Sequence, residues 1–328
     1  MIDYELLIER NYGTKTWQKP AVIEPVEWET YRKDTPSKLT FKVVKDDALG
    51  FLEGARVSFK VNGKKVFLGY VFEKSRDKDQ LITVTAYDQL RYFKCKNAYV
   101  YENMKASTFI KRACDDFLIT TGEIEDTGHA IGQILYTNDT LFDMIQGSLD
   151  DTVMATNQLF CIYDDYGEIK LKNIKNLKLD YMVTANTAEN FDYTSSIDTN
   201  TYNRIKIQKV SKDKGISDII VEEDKDTIHE WGVLQKFEQW GENQNEAQVK
   251  AMAKSLLKLH NSKTRSLSIS GCVGDIRVRA GTSVLVKLAL GDIPQLNNYM
   301  LVEEASHTFE QGSHTMSLTV KGVGEFYD

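Results

Sequence analysis

The side chains best suited to metal binding or proton transfer in this chain are its five histidines: His129, His229, His260, His307 and His314. None of them stands in the His-Glu-x-x-His spacing that places two imidazoles on one helix face to hold zinc. A late hairpin could bring the last two together beside Glu303 and Glu304. We expect instead that these two are unrelated histidines, at the surface or on opposite strands. The sequence therefore predicts no metal site.

Paired carboxylates are the second kind of group that could do chemistry, because a glycosidase needs two of them to meet in space. The candidate clusters are Asp115–Asp116, Asp150–Asp151 and Glu222–Asp224. Each follows a helix face or lies in a polar connection, so we expect a solvated surface at all three. The run Asp164–Gly167 resembles the start of a calcium loop but lacks its distal ligands. It is predicted to be a hairpin turn.

Motifs that would indicate a cofactor or a nucleophile are missing from the sequence. The chain has no Gly-x-Ser-x-Gly elbow, no Walker loop and no Gly-x-Gly-x-x-Gly. Its four cysteines, Cys95, Cys114, Cys161 and Cys272, form no Cys-x-x-Cys pair, which argues against a zinc ribbon or a redox centre. We expect each to be a small buried hydrophobe. We predict no catalytic residues, no bound metal and no cofactor.

Composition favours a soluble multidomain protein. The chain has 328 residues, 41% of them hydrophobic, and at roughly 150 residues per domain this suggests two or three domains. Acidic residues number 48 against 41 basic ones, and the two signs are interspersed. A dedicated nucleic-acid or anionic-membrane binder would carry a basic stripe. With no signal peptide and no apolar run of about 20 residues, we expect no membrane contact and synthesis into cytoplasm-like conditions.

The first segment, residues 1–97, has the pattern of β structure. Ala55–Val61 alternates apolar and polar residues, and Asn62–Gly63 then supplies the pair typical of a type I′ turn. Lys65–Phe72 is the predicted returning strand, and Leu81–Tyr87 the third. This pattern predicts a meander closed into a small β-barrel.

The second segment, residues 98–175, changes to a helical period. Apolar residues at helical spacing follow Ser107 or Thr108 as N-cap, with Gly122 as the expected C-terminal cap. Thr140 with Asp143 predicts the start of a second helix. The strands on either side of the Asp164–Gly167 turn then form a hairpin. The segment is predicted to be an α+β insert domain.

The third segment, residues 176–328, returns to strands and is interrupted by one predicted helix at 243–262. Asn243 and Glu246 have the spacing of a capping box at its start. Strand-like runs follow it, at 266–269, 283–290, 299–304 and 315–321. The fold class predicted for the whole chain is therefore mainly β, with two β-barrel domains around an α+β insert.

The two β segments resemble each other, which predicts an internal duplication. The matched runs are Gly54–Val61 with Gly281–Leu288, Tyr70–Lys74 with Tyr299–Glu304, and Thr83–Thr85 with Leu318–Val320. Order and spacing agree apart from loop lengths. Two unrelated meanders that each have a glycine before a strand would also look alike, and that alternative stays open at this point.

Several runs resemble the XkdQ-like hub proteins of contractile phage tails and R-type bacteriocins. They are Ala86–Tyr92, Ala106–Arg112, Leu234–Glu238 with the capped helix after it, Ser268–Gly271, Tyr299–Glu303, and His307–Phe309 with His314–Leu318. The resemblance spans most of the chain. It implies two tube-type β-barrel domains per subunit, which in a homotrimer would form a pseudo-six-fold ring. Such a baseplate hub joins the six-fold tail tube to the three-fold central spike and binds baseplate wedge proteins.

On this interpretation the role is mechanical, and no reaction step is expected. The resemblance implies assembly in the bacterial cytoplasm, then a place in the baseplate of the released particle. Because exposed strand edges aggregate, we expect edge strands in or beside the contacts between barrels, with an aspartate at Val286 expected to prevent trimer formation. These predicted contact residues are Val57, Phe59, Val61, Val284, Val286 and Leu288. An acidic lumen that repels DNA phosphate is a second hypothesis. The competing class is a tail-associated cell-wall hydrolase, supported only by unplaced carboxylates.

Overall fold

The structure is a computed structural model and describes residues 2–11, 15–46, 49–211, 215–240, 246–291, 293 and 296–322. Strands dominate these residues, which confirms the predicted mainly β fold class. The strands are β1 (Tyr4–Glu9), β2 (Trp17–Gln18), β3 (Val22–Tyr31), β4 (Lys38–Val44), β5 (Arg56–Val61), β6 (Lys64–Arg76), β7 (Leu81–Tyr87), β8 (Lys96–Lys105), β9 (Thr121–Ile124), β10 (Ala130–Thr140), β11 (Phe160–Asp164), β12 (Ile169–Asn173), β13 (Lys178–Thr184), β14 (Asn190–Ser196), β15 (Arg204–Ser211), β16 (Gly215–Glu223), β17 (Gln235–Trp240), β18 (Thr264–Val273), β19 (Ser283–Leu288), β20 (Leu296–Glu310) and β21 (Ser313–Gly322).

Helices make up a smaller part of the fold. They are α1 (Ala106–Asp116), α2 (Leu141–Thr156), α3 (Lys225–Trp231) and α4 (Glu246–His260), with 3₁₀ turns at Gln89–Lys94 and Ile174–Leu177. Among the described residues, no helix is long and apolar enough to cross a membrane.

The chain divides into two compact units. Unit 1 contains residues 1–192 and 267–328, and unit 2 contains residues 193–266. The predicted third segment is thus interrupted by more than a helix, because unit 2 has a sheet of its own. The predicted division of the chain into 1–97, 98–175 and 176–328 stays a prediction.

One large sheet organises unit 1. Its strand order is β14–β18–β21–β20–β3–β4–β7–β6–β5–β1–β2, and β13 joins it through β19, which pairs with β20. Inward-facing apolar residues alternate with outward polar ones along β4 and β7, as expected of antiparallel strands with one covered face. A core that includes Phe41, Phe59 and Phe309 lies on the covered face.

The region between the two halves of this sheet has its own core, formed by α1, α2 and the hairpin β11–β12. Thr140 caps α2 as predicted, since its hydroxyl accepts from the Asp143 N–H and the Asp143 carboxylate accepts from the Thr140 N–H. The predicted limits of α1 are wrong. Its N-cap is Lys105, and it ends at Asp116 because Leu118 takes a positive φ of 55°.

Unit 2 is a three-stranded sheet with β15 between β16 (antiparallel) and β17 (parallel). Helix α4 packs on it, joining Val249, Ala253 and Leu256 to Ile205 and Ile207. The helix predicted at 243–262 is confirmed over Glu246–His260, and the predicted cap Asn243 lies outside the described residues.

Candidate functional site: the seam between two β repeats

The strands predicted to form subunit contacts are not edges of the sheet. Strand β5 lies between β1 and β6, and β19 lies between β13 and β20. The six side chains chosen on them are all buried within the chain: Val57, Phe59, Val61, Val284, Val286 and Leu288. The premise of an exposed edge is therefore wrong, because a partner distant in sequence, β1 or β13, covers the side of each strand that its hairpin partner leaves open. That these strands lie beside a subunit contact stays a prediction.

The two β regions share an unusual local geometry. In each, a glycine with positive φ precedes the strand and donates its N–H to a valine carbonyl, from Gly54 to Val71 at 2.7 Å and from Gly281 to Val302 at 2.8 Å. A bulge follows that valine in both. The flanking ladder pairs are Val71 with Ala86 and Glu73 with Thr85 in the first region, and Val302 with Val320 and Glu304 with Thr319 in the second.

The strands that pair with β7 and β21, namely β4 and β18, also correspond in register. Leu39 of β4 pairs with Ala86, and Leu267 of β18 pairs with Val320 at the equivalent position. We therefore describe β3–β4–β5–β6–β7 as the first repeat and β14–β18–β19–β20–β21 as the second. Unrelated meanders would have no reason to share a bulge, a glycine with positive φ before the same strand, and the register of four strands.

The strand register corrects the sequence alignment of the two repeats in the second and third matched runs. Thr85 corresponds to Thr319 rather than to Val320, and Tyr70 corresponds to Leu301 rather than to Tyr299. The connection from β19 to β20 is longer than the Asn62–Gly63 turn, so matching the tyrosines displaced the alignment. Only the hydrogen-bonded register fixes it.

A seam of strand pairing joins the two repeats within the chain. Strand β3 of the first repeat pairs with β20 of the second, with Tyr31 opposite Glu304 and Val26 opposite Phe309. At its end the Arg32 N–H donates to the Glu303 carbonyl at 3.0 Å, and the Arg32 guanidinium donates to the Glu303 carboxylate at 2.6 Å. The two β regions are consequently one continuous sheet.

Two histidines are buried at this seam. His307 is fully buried, stacks on Trp28 of β3 with ring centroids 4.8 Å apart, and lies 2.9 Å from His314 between ring nitrogens. Its Nε2–H donates to the Val278 carbonyl at 2.8 Å, because a carbonyl can only accept. Nδ1 of His307 therefore accepts from Nε2–H of His314.

Both imidazoles are held neutral. Burial lowers the pKa of His307 to about 3, with His314 beside it adding to the effect, and burial lowers the pKa of His314 to about 4. The carboxylate of Asp275 acts in the opposite direction on both. The two histidines lie on opposite strands of one hairpin, which was one of the two expected arrangements, but they are buried and bonded to each other rather than unrelated. Glu303 pairs with Arg32 and does not join them. The signal in the sequence was the alternation on either side of the Gly312 turn, which puts both histidines on the inward face.

Acid should weaken the fold through this pair. The unfolded histidines take up protons near pH 6.5 and the folded ones only near pH 3 to 4, so stability is complete above pH 6.5 and is lost as the pH falls. At pH 5 the protonation of each histidine in the unfolded chain should lower the free energy of unfolding by about 2 kcal/mol. Urea unfolding of His307→Gln between pH 7 and 5 should show a shallower decrease than the wild type. His129→Gln is the control, and equal slopes in all three proteins would contradict the assignment.

Two buried carboxylates lie where the first repeat meets the insert. Asp88 accepts from the N–H groups of Ser37 (3.2 Å) and Leu90 (3.0 Å), and Asp164 accepts from the N–H groups of Gly167 (2.6 Å) and Gln89 (3.4 Å). Burial raises the pKa of both, and for Asp88 the neighbouring Asp164 raises it further. The predicted Asp164–Gly167 turn is confirmed, but its contact with Asp88 was not predictable from the sequence pattern.

The second repeat reaches the same junction through Arg279. Its guanidinium donates to the main-chain carbonyl of Asp164 at 2.9 Å and lies 4.3 Å from the Tyr163 ring. Tyr166 of the same turn shares a hydrogen bond of 2.7 Å with Ser58 on β5. The insert hairpin is thus fixed to both repeats by polar groups.

A shallow trough crosses the outer face of the sheet at the seam. Its lining combines hydroxyl and acidic side chains with Asn190 and the exposed Phe191. The hydroxyls and acids are Glu29, Tyr31, Asp192, Ser268, Ser270, Glu304, Ser306, Ser317 and Thr319. The Glu29 carboxylate also accepts from the Tyr31 hydroxyl and pairs with Lys38 at 2.9 Å. This face is mostly polar and acidic.

The carboxylate clusters singled out in the sequence have structural partners. Asp116 accepts from Tyr99, Asp150 from Gln146 and Glu223 from Arg204, and Asp224 caps α3. In the part of the chain that the structure describes, no group of three or more His, Cys, Asp or Glu is placed to hold a metal ion. Three cysteines are buried as expected, but Cys95 is exposed.

Residues 26–321 match the YQBQ-like family, and the chain belongs to that family. It is 28% identical over 306 residues to the uncharacterized protein YqbQ of Bacillus subtilis, which covers 91% of this chain and 92% of YqbQ. It is 29% identical over 307 residues to the phage-like element PBSX protein XkdQ of the same organism, with the same coverage of 91% and 92%. The predicted XkdQ-like resemblance is confirmed.

Solved structures share the fold at low sequence identity. A 43 kDa tail protein of prophage MuSo2 from Shewanella oneidensis has a TM-score of 0.68 at 13% identity, covering 96% of this chain and 98% of the other. A tail protein from Neisseria meningitidis has a TM-score of 0.67 at 14% identity, covering 99% and 98%. The E. coli c3393 protein, a type VI secretion component described as similar to the T4 tail proteins gp27 and gp5, has a TM-score of 0.56 at 11% identity, covering 98% and 78%.

Proposed function

We propose that this protein is the structural baseplate hub of a contractile, phage-tail-like injection particle. Its relative XkdQ is named for a phage-like element, and two solved proteins of the same fold are tail proteins. The observation that carries the proposal is the duplicated β repeat joined by one seam. A chain with two equivalent repeats can meet a six-fold tube while three copies meet a three-fold spike.

In this proposal three chains close into a pseudo-six-fold ring that joins the tail tube protein to the central spike protein, with baseplate wedge proteins around it. Head-to-tail closure needs two different faces on each repeat, and a repeat that pairs through different strands on its two sides provides them. The ring assembles in the bacterial cytoplasm and then resides in the baseplate of the released particle. Its action is mechanical, and no sequence-specific nucleic-acid contact is required.

The acidic trough on the outer sheet face supports the hypothesis of an acidic lumen. Glu29, Glu304 and Asp192 lie among hydroxyls there, and in a ring such carboxylates would repel DNA phosphate so that nucleic acid passes without sticking. A basic lumen in the assembled ring would reject this.

The hub proposal predicts a trimer. Native mass in solution, measured by light scattering or mass photometry, should be about three times 37.4 kDa, either for the protein alone or after the neighbouring spike protein is added. The matched control is the spike protein measured by itself. A strict monomer under both conditions would contradict the ring, and an assay for cell-wall hydrolysis would then be the next experiment.

A further inference from the structure

Among the described residues, strand β6 of the first repeat has an open edge beyond Tyr70, where its counterpart β20 in the second repeat pairs with β3. Residues Lys64–Tyr70 pair with β5 along this edge, while the opposite edge pairs with β7 as far as Arg76. Within the described ranges, no strand pairs with the first edge beyond Tyr70. In the second repeat β20 pairs with β19 up to Leu301 and then takes up β3 along the same edge.

Strand β14 of the second repeat also differs from its counterpart β3, because it lacks the neighbouring strand that β3 has among the described residues. It pairs with β18, as β3 pairs with the equivalent strand β4, so β14 holds the place of β3 in its repeat. Strand β3 continues the sheet by pairing with β20. Strand β14 ends the sheet, since no further strand follows it among the residues described.

Side chains on β20 are more buried than their counterparts on β6, as expected if only β20 has a neighbouring strand at this edge. Ala305 and His307 of β20 are buried beneath the seam, whereas their counterparts Lys74 and Arg76 on β6 are half-buried and exposed, respectively. Lys74 is paired with Glu53 at 3.6 Å, and the neighbouring Glu73 is exposed, so Arg76 is the exposed cation of this segment. Two acidic residues, Glu189 just before β14 and Asp192 within it, are also exposed, and they have the charge that complements Arg76.

We propose that residues 72–76 of β6 take up strand β14 of a second copy of this chain, in the way that β20 takes up β3 within one chain. The proposal rests on the proposed trimeric ring and names its subunit contact. The ring then contains three seams within chains and three between chains, all built by antiparallel strand addition. Pairing between copies would also remove the two exposed edges that otherwise invite aggregation.

The internal seam shows which main-chain groups would bond. The Arg32 N–H donates to the Glu303 carbonyl, and main-chain groups alternate direction along a strand. Glu303, Ala305 and His307 therefore direct their N–H and C=O groups toward β3. Their counterparts Phe72, Lys74 and Arg76 direct theirs toward the incoming strand, while Ser75 faces β7.

Proline at position 76 tests this contact. Arg76→Pro removes an N–H that pairing with β7 does not use, so the single chain should keep its fold while the bond to the second copy is lost. Arg76→Ala is the matched control, because it removes the same charge and keeps the N–H. Native mass over a dilution series should show Arg76→Ala as a trimer and Arg76→Pro dissociating at about tenfold higher concentration or more.

The outcomes separate this contact from the ring itself. If the wild-type protein is monomeric with and without the spike protein, both the proposed function and the proposed strand contact are contradicted. A trimer that persists unchanged in Arg76→Pro overturns the contact and leaves the ring standing. Circular dichroism identifies a proline variant that does not fold, and amide exchange on the wild-type trimer then decides. Exchange at 72–76 as slow as at 304–309 supports the contact, and fast exchange there overturns it.

Discussion

Replacing Gly281 with alanine is expected to destabilise the protein by about 3 kcal/mol, whereas the same replacement at its counterpart Gly54 should cost about 1 kcal/mol. Both glycines have positive φ, 90° and 82°, so both lose backbone freedom that only glycine has. At Gly281 the new methyl would also overlap Sγ of Cys161. At Gly54 the nearest heavy atom is Nδ2 of Asn11 at 3.9 Å, which is ordinary contact.

Urea unfolding followed by tryptophan fluorescence measures both costs. The double variant Cys161→Ala with Gly281→Ala should recover part of the loss, because the sulfur is removed from the overlap. The two single substitutions should then be non-additive, as expected for residues in contact. Equal destabilisation by Gly281→Ala and Gly54→Ala would contradict the packing of the insert strand β11 against the second repeat.

Val286→Asp is expected to prevent the chain from folding into a soluble form. Val286 is fully buried and β19 is flanked by strands on both sides, so the new carboxylate would have neither water nor a cation beside it. The cost should be about 4 kcal/mol or more, a large part of the stability of an ordinary domain. The variant therefore reports on the core of one chain before it reports on trimer formation.

Lys287→Asp is the matched control for Val286→Asp, because its side chain is exposed on the other face of the same strand. The control should stay in the soluble fraction with an unfolding midpoint close to that of the wild type. Soluble yield and circular dichroism compare the two. A soluble, folded Val286→Asp protein would show that β19 is not covered as the structure has it.

Local features were predictable because short stretches of chain determine them. The Asn62–Gly63 turn, the capping box of Thr140 and the turn at Asp164–Gly167 each depend on residues within a few positions of one another. The glycine before β5 and before β19 was visible for the same reason, and it pointed to the duplication. The end of α1 was missed because a positive φ at Leu118 has no marker in the sequence.

Long-range pairing was not predictable. The seam joins β3 to β20 across most of the chain, and alternation along either strand is the same whether its edge is paired or open. The sequence therefore could not distinguish the covered strands β5 and β19 from the edges that stay open among the described residues, at β14 and at the end of β6 beyond Tyr70. The meeting of His307 with Trp28 and of Asp88 with Asp164 depends on the same long-range packing.

The sequence by itself determined the mainly β class, the repeated strand pattern and the family resemblance, because strand alternation and turn residues act within each hairpin. The tertiary structure decided that the two repeats form one sheet, that unit 2 has its own sheet, and that the histidine pair is buried. Which strand pairs with which depends on the free energy of the whole packed sheet, so no single segment encodes it.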